Sequence, residues 1–149
     1  MYEMKKLLLI SAIILAAVYF GFAYNKSVPI HNLVETSYDS DQIIESAFKN
    51  RNHHLHVEGQ GIVIKILRDD LAGTSHQRFI VRLSSGQTLL IAHNIDLAPR
   101  INSLRKGDKV FFYGEYEWNS KGGTIHWTHH DPAGRHIAGW IKHNGIKYQ

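Results

Sequence analysis

The sequence predicts an all-β fold: a small five-stranded barrel, preceded by a short helix and followed by an extra C-terminal hairpin. Three observations predict it. Apolar and polar residues alternate from Leu55 onward, the period of a half-buried strand. Turn-forming clusters at 69–73, 84–86 and 119–123 separate the alternating runs. The runs fall in the order three strands, an irregular connection, two strands, and glycines interrupt the first of them.

The 149 residues leave room for one domain once the N-terminus is set aside. Lys5 and Lys6 precede an uncharged apolar run from Leu7, and Gly21-Phe22-Ala23 offers a cleavage site. Residues 1–24 are therefore expected to be a signal peptide or an N-terminal membrane anchor, with the domain exported. Residues 25–38 show no period and read as a linker, which places the domain at 39–149. Asp39 or Ser40 can cap a helix whose Ile43, Ile44, Ala47 and Phe48 form one apolar stripe.

Strand one starts at Leu55. Leu55, Val57, Gly59 and Gly61 share one face, while Ile62, Ile64 and Ile66 share the other, so a change of phase is expected at the glycines. The second strand is 76–83 with Phe79, Val81 and Leu83 inward, and the third is 87–93. Residues 94–106 break the alternation, with Leu97, Ile101 and Leu104 at loosely helical spacing. Strand four covers 109–118 and strand five 124–128. Two short strands then meet at Asn144-Gly145, a strong hairpin dipeptide, and Trp140 is expected to pack over the barrel mouth.

Three strands, a connection and two strands, with a bent first strand, resemble the OB-fold barrel over residues 55–130. Asn94-Ile95-Asp96-Leu97-Ala98-Pro99-Arg100, Gly114-Glu115-Tyr116-Glu117-Trp118-Asn119 and the histidine-rich stretch 126–149 also carry a second resemblance. Through them the chain is similar to a bacterial family of short exported proteins with a domain of unknown function. That resemblance brings no activity and no catalytic residue.

There is no cysteine. Disulfide scaffolds, thiolate nucleophiles and Cys-ligated metal centres are excluded, and the fold rests on its apolar core. The formal net charge of +4 is mild, permitting an anionic partner without demanding one. Of eleven histidines, five fall between His126 and His143. His129, His130, Asp131, His136 and His143 are the candidate ligands for a divalent metal such as zinc, since imidazole and carboxylate suit such ions. They can meet only if the chain folds back after Asp131-Pro132, because on an extended strand His126 and His130 stand about 13 Å apart. His54 and His56 could add ligands from across the barrel. Hydrogen-bonding of those imidazoles within a tight C-terminal fold is the simpler use of them.

OB-like barrels bind polymers across strands two and three and the nearby loops. Arg78 and Arg82 on a polar strand face, with Trp127 and Trp140 as stacking platforms, are the candidate ligand-binding residues. A glycan, peptide or protein suits the mild charge and expected export better than nucleic acid. The expected role is therefore a cell-envelope binding module with its site at the histidine-rich C-terminal segment, and with contact to the membrane through residues 1–24 if they are uncleaved. The alternative is a metal-dependent hydrolase using the same histidines. Ser84, Ser85 and Ser103 lack any nucleophile motif.

Overall fold

The structure, a computed structural model, describes residues 30–149, with side chains from residue 39. The predicted signal or anchor at 1–24 lies outside the described residues. Among these, no helix is long and apolar enough to cross a membrane.

Alternation becomes a barrel because each strand buries every second residue. The strands are β1 (Leu55–Ile66), β2 (His76–Arg82), β3 (Thr88–Asn94), β4 (Lys109–Glu117) and β5 (Thr124–His126). They close in the order β1-β2-β3-β5-β4, and β4 pairs back to β1. Only β3 and β5 run parallel; β1–β2, β2–β3, β1–β4 and β4–β5 are antiparallel. This is the OB-fold barrel that the strand order predicts. Phe79, Val81 and Leu83 point inward at 3% exposure or less, joined by Val63, Ile91, Phe112, Tyr116 and Ile125. Removing such side chains from water is the main force closing the ring.

One expectation for β1 needs correcting. Val57, Gly59, Gly61 and Val63 are all buried, so one phase runs straight through the glycines, and Ile62 and Ile66 lie outside. The irregularity falls instead between Val63 and Lys65. Gly59 is needed for room: a Cβ there would stand 2.6 Å from the Phe112 ring.

The helix α1 (Ile30–Lys49) starts nine residues before the expected cap, so Asp39 and Ser40 lie inside it and 30–38 is not an unstructured linker. Ile44 and Ala47 enter the core, whereas Ile43 is 53% exposed and leaves the predicted stripe. Asp41, 4% exposed, accepts hydrogen bonds from the Ser84 hydroxyl and, at 2.9 Å, from the Ser85 N–H. That ties the helix to the β2–β3 turn. Arg51, at φ 55°, ends the helix in a left-handed cap, with Asn52 N bonded to Ala47 O.

The 94–106 connection forms turns rather than a helix. Ile101 and Leu104 still fill the barrel end, while Leu97 is exposed. The buried Gln77 amide fixes them by pairing with the Ile101 backbone at 3.0 and 2.9 Å, the way a strand neighbour would. Beyond the barrel, β6 (Trp140–His143) pairs with the first half of β4, and β7 (Ile146–Tyr148) pairs with β6. Asn144 and Gly145 take positive φ at their turn, as the dipeptide predicts. Ile141 is the core residue of this hairpin. Trp140 points to the outer face instead of covering the mouth, since its register partner is the outward Tyr113.

A candidate functional face on β4

Tyr113, Glu115 and Glu117 project from β4 on the side opposite Phe112 and Tyr116, and the register sets neighbours beside each. His56 pairs with Glu115 from β1, and His126 pairs with it from β5. One row across three strands therefore reads imidazole, carboxylate, imidazole. Glu115 is 6% exposed. His126 Nε2 lies 3.6 Å from Glu115 Oε1, and His56 Nε2 lies 4.0 Å from Oε2. Neither nitrogen has a hydrogen-bond partner, although both atoms are buried.

The α1–β1 connection covers the top of this row. His54 Nδ1 lies 2.8 Å from Glu115 Oε1 and 2.8 Å from Glu117 Oε1, and the His54 N–H donates to Glu117 Oε1 at 3.1 Å. His53 Nδ1 reaches the other Glu117 oxygen at 2.5 Å. His54 sits at φ 56°, and Trp127, which follows His126, at φ 53°. Left-handed backbone is uncommon outside glycine, and here it brackets the row on both sides.

The electrostatics follow from these contacts. The hydrogen bond to Glu115 and the charge of Glu117 raise the His54 pKa above its ordinary value. Burial lowers that of His126, against the pull of Glu115. Burial opposes ionisation of Glu117, but the bonds from His53 and His54 outweigh it and hold its pKa below the usual value.

At the other end, the same face turns basic and aromatic. Phe111, Lys142 and Lys147 form one row across β4, β6 and β7, and Tyr113 and Trp140 form the next. Lys142 and Lys147 place their amines 5.8 and 5.6 Å from the Trp140 ring, and Lys109 lies 5.0 Å from Phe111. Among the described residues these three lysines have no ion-pair partner.

The predicted metal ligands are not brought together. His129 is buried and bonds through Nδ1 to the His130 carbonyl. Asp131 spends its carboxylate on the N–H groups of Ala133, Arg135 and His136, at 2.9, 2.7 and 2.9 Å. His130 and His136 are exposed, and His136 stacks on Trp127 at 3.7 Å. His143 is buried at the far end of β4 with Nε2 2.8 Å from Asp108. The fold-back after Asp131-Pro132 does occur, but it serves the loop. The one group of three possible ligands that meets among the described residues is His54, Glu115 and Glu117.

The ligand-binding candidates also separate. Arg78 is committed to Asp70, at 3.3 Å, and to the Arg68 carbonyl. Arg82 borders a groove of about 380 Å³ with Ile62 and Lys109. Trp127 lies beyond β5, and only Trp140 falls on the lysine–aromatic end. Glu115 and Glu117 are what the sequence reading missed. Their signal was the two-residue spacing Tyr113, Glu115, Glu117, matched by His54 and His56.

Asp131 offers a direct check on the loop. Its three N–H bonds, that of Ala133 first, keep its pKa below the ordinary carboxylate value. Their contribution is present above that value and lost as pH falls through the depressed one. Asp131→Asn is expected to speed amide exchange at Arg135 and His136 by about tenfold or more. Unchanged protection would remove Asp131 as the organiser of the loop.

A closed OB barrel with an added C-terminal hairpin and a polarised outer face defines the class of protein. The chain belongs to the family described as Protein of unknown function (DUF3465), which matches residues 28–149. No curated protein matches it.

Proposed function

We propose that this protein is a binding module of the cell envelope that docks an acidic glycan on the outer face of β4, β6 and β7. The observation that carries the reading is the set Lys109, Lys142 and Lys147, unpaired among the described residues and interleaved with Phe111, Tyr113 and Trp140. In the rows they occupy, Glu58 on β1 is the single carboxylate. A sheet face with spare ammonium groups suits an extended polyanion. The lysine amines lie over the Phe111 and Trp140 rings, and Trp140 is half-buried beside Tyr113. Base stacking needs open ring faces, so a hydrated acidic polysaccharide suits this face better than nucleic acid. Export through residues 1–24, cleaved or retained as an inner-membrane anchor, would deliver the domain to such a ligand.

A binding role is favoured over catalysis by how the nucleophile candidates are used. Ser103 Oγ, His143 and Asp108 stand in line, but Oγ is 3.4 Å from Nδ1, long for a hydrogen bond. The ring is fully buried, and Asp108 Oδ2 also accepts the Arg105 N–H at 2.8 Å. That line reads as a latch holding β6 against the connection into β4.

Titration of the full chain with polygalacturonate is expected to show binding that weakens with salt. Changing both Lys142 and Lys147 to Ala should weaken it about tenfold or more. Equal binding to neutral dextran, tighter binding to single-stranded DNA, or indifference to the double change would each refute the reading.

A further inference from the structure

We propose that His54, Glu115 and Glu117, flanked by His56 and His126, form a binding site for a divalent transition-metal ion on the outer wall of the barrel. The site is separate from the lysine–aromatic end, and no part of the glycan reading is needed for it.

Charge is the first argument. Two carboxylates meet here, one of them 6% exposed, and among the described residues their side-chain partners are all histidines. Among the described residues no lysine or arginine neutralises them. When the imidazoles are neutral, a buried carboxylate beside a second one has no fixed counter-charge, an unfavourable arrangement unless a cation enters. A divalent ion matches two carboxylates.

The second argument is independent of charge. His56 Nε2 and His126 Nε2 flank Glu115 from opposite strands, are buried, and bond to nothing. A buried polar atom left unpaired is unfavourable. Waters on an ion held at Glu115 would pair both nitrogens. Distances agree: two ligands bound at about 2.1 Å can be no more than about 4.2 Å apart. His54 Nδ1 stands 2.8 Å from Glu115 Oε1 and 2.8 Å from Glu117 Oε1. A ligand atom from each of His54, Glu115 and Glu117 falls within 4.8 Å of the others, so a slight closure about the ion suffices.

The ligand chemistry selects the ion. An imidazole nitrogen mixed with carboxylate oxygens, and no thiolate anywhere in the chain, favour zinc or copper(II) over calcium and magnesium, which want oxygen alone. The scaffold is three paired strands, with the register holding His56, Glu115 and His126 side by side. His54, 80% exposed on the connection from α1, is the ligand free to close over the ion.

Zinc chloride titrated calorimetrically into the full-length chain in detergent is expected to fill one site per chain. Cobalt(II) should give visible bands of a nitrogen-containing site. Glu115→Gln and Glu117→Gln should each weaken zinc binding at least about tenfold, and the paired changes His130→Gln and His136→Gln should leave it within about twofold. Should Glu115→Gln fail to fold, His54→Ala decides, because its ring is exposed: about tenfold weaker binding at an unchanged melting temperature supports the site. No saturable zinc or cobalt binding, affinity indifferent to Glu115 or His54, or affinity lost with His130 and His136 would overturn it.

Discussion

Gly114→Ala is expected to destabilise the fold by about 3 kcal/mol, lowering the melting temperature by roughly 10 °C. Gly114 faces inward on β4 between Tyr113 and Glu115. A Cβ there would stand 2.4 Å from the His126 carbonyl oxygen, 2.9 Å from the Thr128 methyl and 3.0 Å from Ile125 Cγ2. The nearest of these is backbone of β5, which cannot turn aside as a side-chain tip would. To admit one methyl, β5 must lift off β4, and the Glu115–His126 pairing goes with it. Zinc affinity should therefore fall along with stability. Gly86→Ala provides the comparison: its φ is +89° with nothing within 4 Å, so only backbone strain of about 1 kcal/mol applies. A Gly114→Ala chain that melts with the wild type would mean that β5 does not lie against that glycine.

The same glycine shows why the barrel was legible in the sequence and the site was not. Inward residues such as Phe79, Val81 and Leu83 announce themselves by period, and period is local. Strand order then follows from the turn clusters. The supposed phase change in β1 failed for an instructive reason. Gly59 and Gly61 look like a kink because glycine often marks one, yet both face inward where Phe112 and Val81 need their space. Ile62 and Ile66 stay outside, so an apolar outer face looked like a second core face.

The C-terminal histidines drew attention through density along the chain, and density is a poor guide to convergence. His129, Asp131 and His143 are spent on backbone groups and on Asp108. The cluster that does converge takes residues from 53–56, 115–117 and 126, and only the β1–β4 and β4–β5 registers put them in one place. Each contributor carries the weak signature of chemistry at every second position. Which strands become neighbours is the part that period cannot supply.

Buried histidine outside that cluster should make the protein acid-sensitive well above the carboxylate range. His93 is fully buried on β3. Its Nε2–H donates to the Pro99 carbonyl at 3.3 Å, which leaves Nδ1 to accept the Thr128 hydroxyl at 2.8 Å. Burial, only partly offset by those bonds, lowers its pKa from 6.5 to about 4. Between those two values the unfolded chain takes up a proton that the folded one refuses. Stability contributed by the neutral ring is thus complete above the unfolded value and is lost as pH falls towards the folded one. The difference corresponds to about 3 kcal/mol. Urea unfolding at roughly pH 7.5 and 4.5, on either side of most of that window, measures it. His93→Gln keeps a donor and an acceptor without a titrating group, so its stability should fall less across the same interval by about that amount, even if it starts lower. Contributions common to both proteins cancel in the comparison. If the two slopes are equal, the ring is not the neutral, enclosed link between β3, Pro99 and Thr128, and the anchoring of the C-terminal segment to the barrel must rest on other contacts.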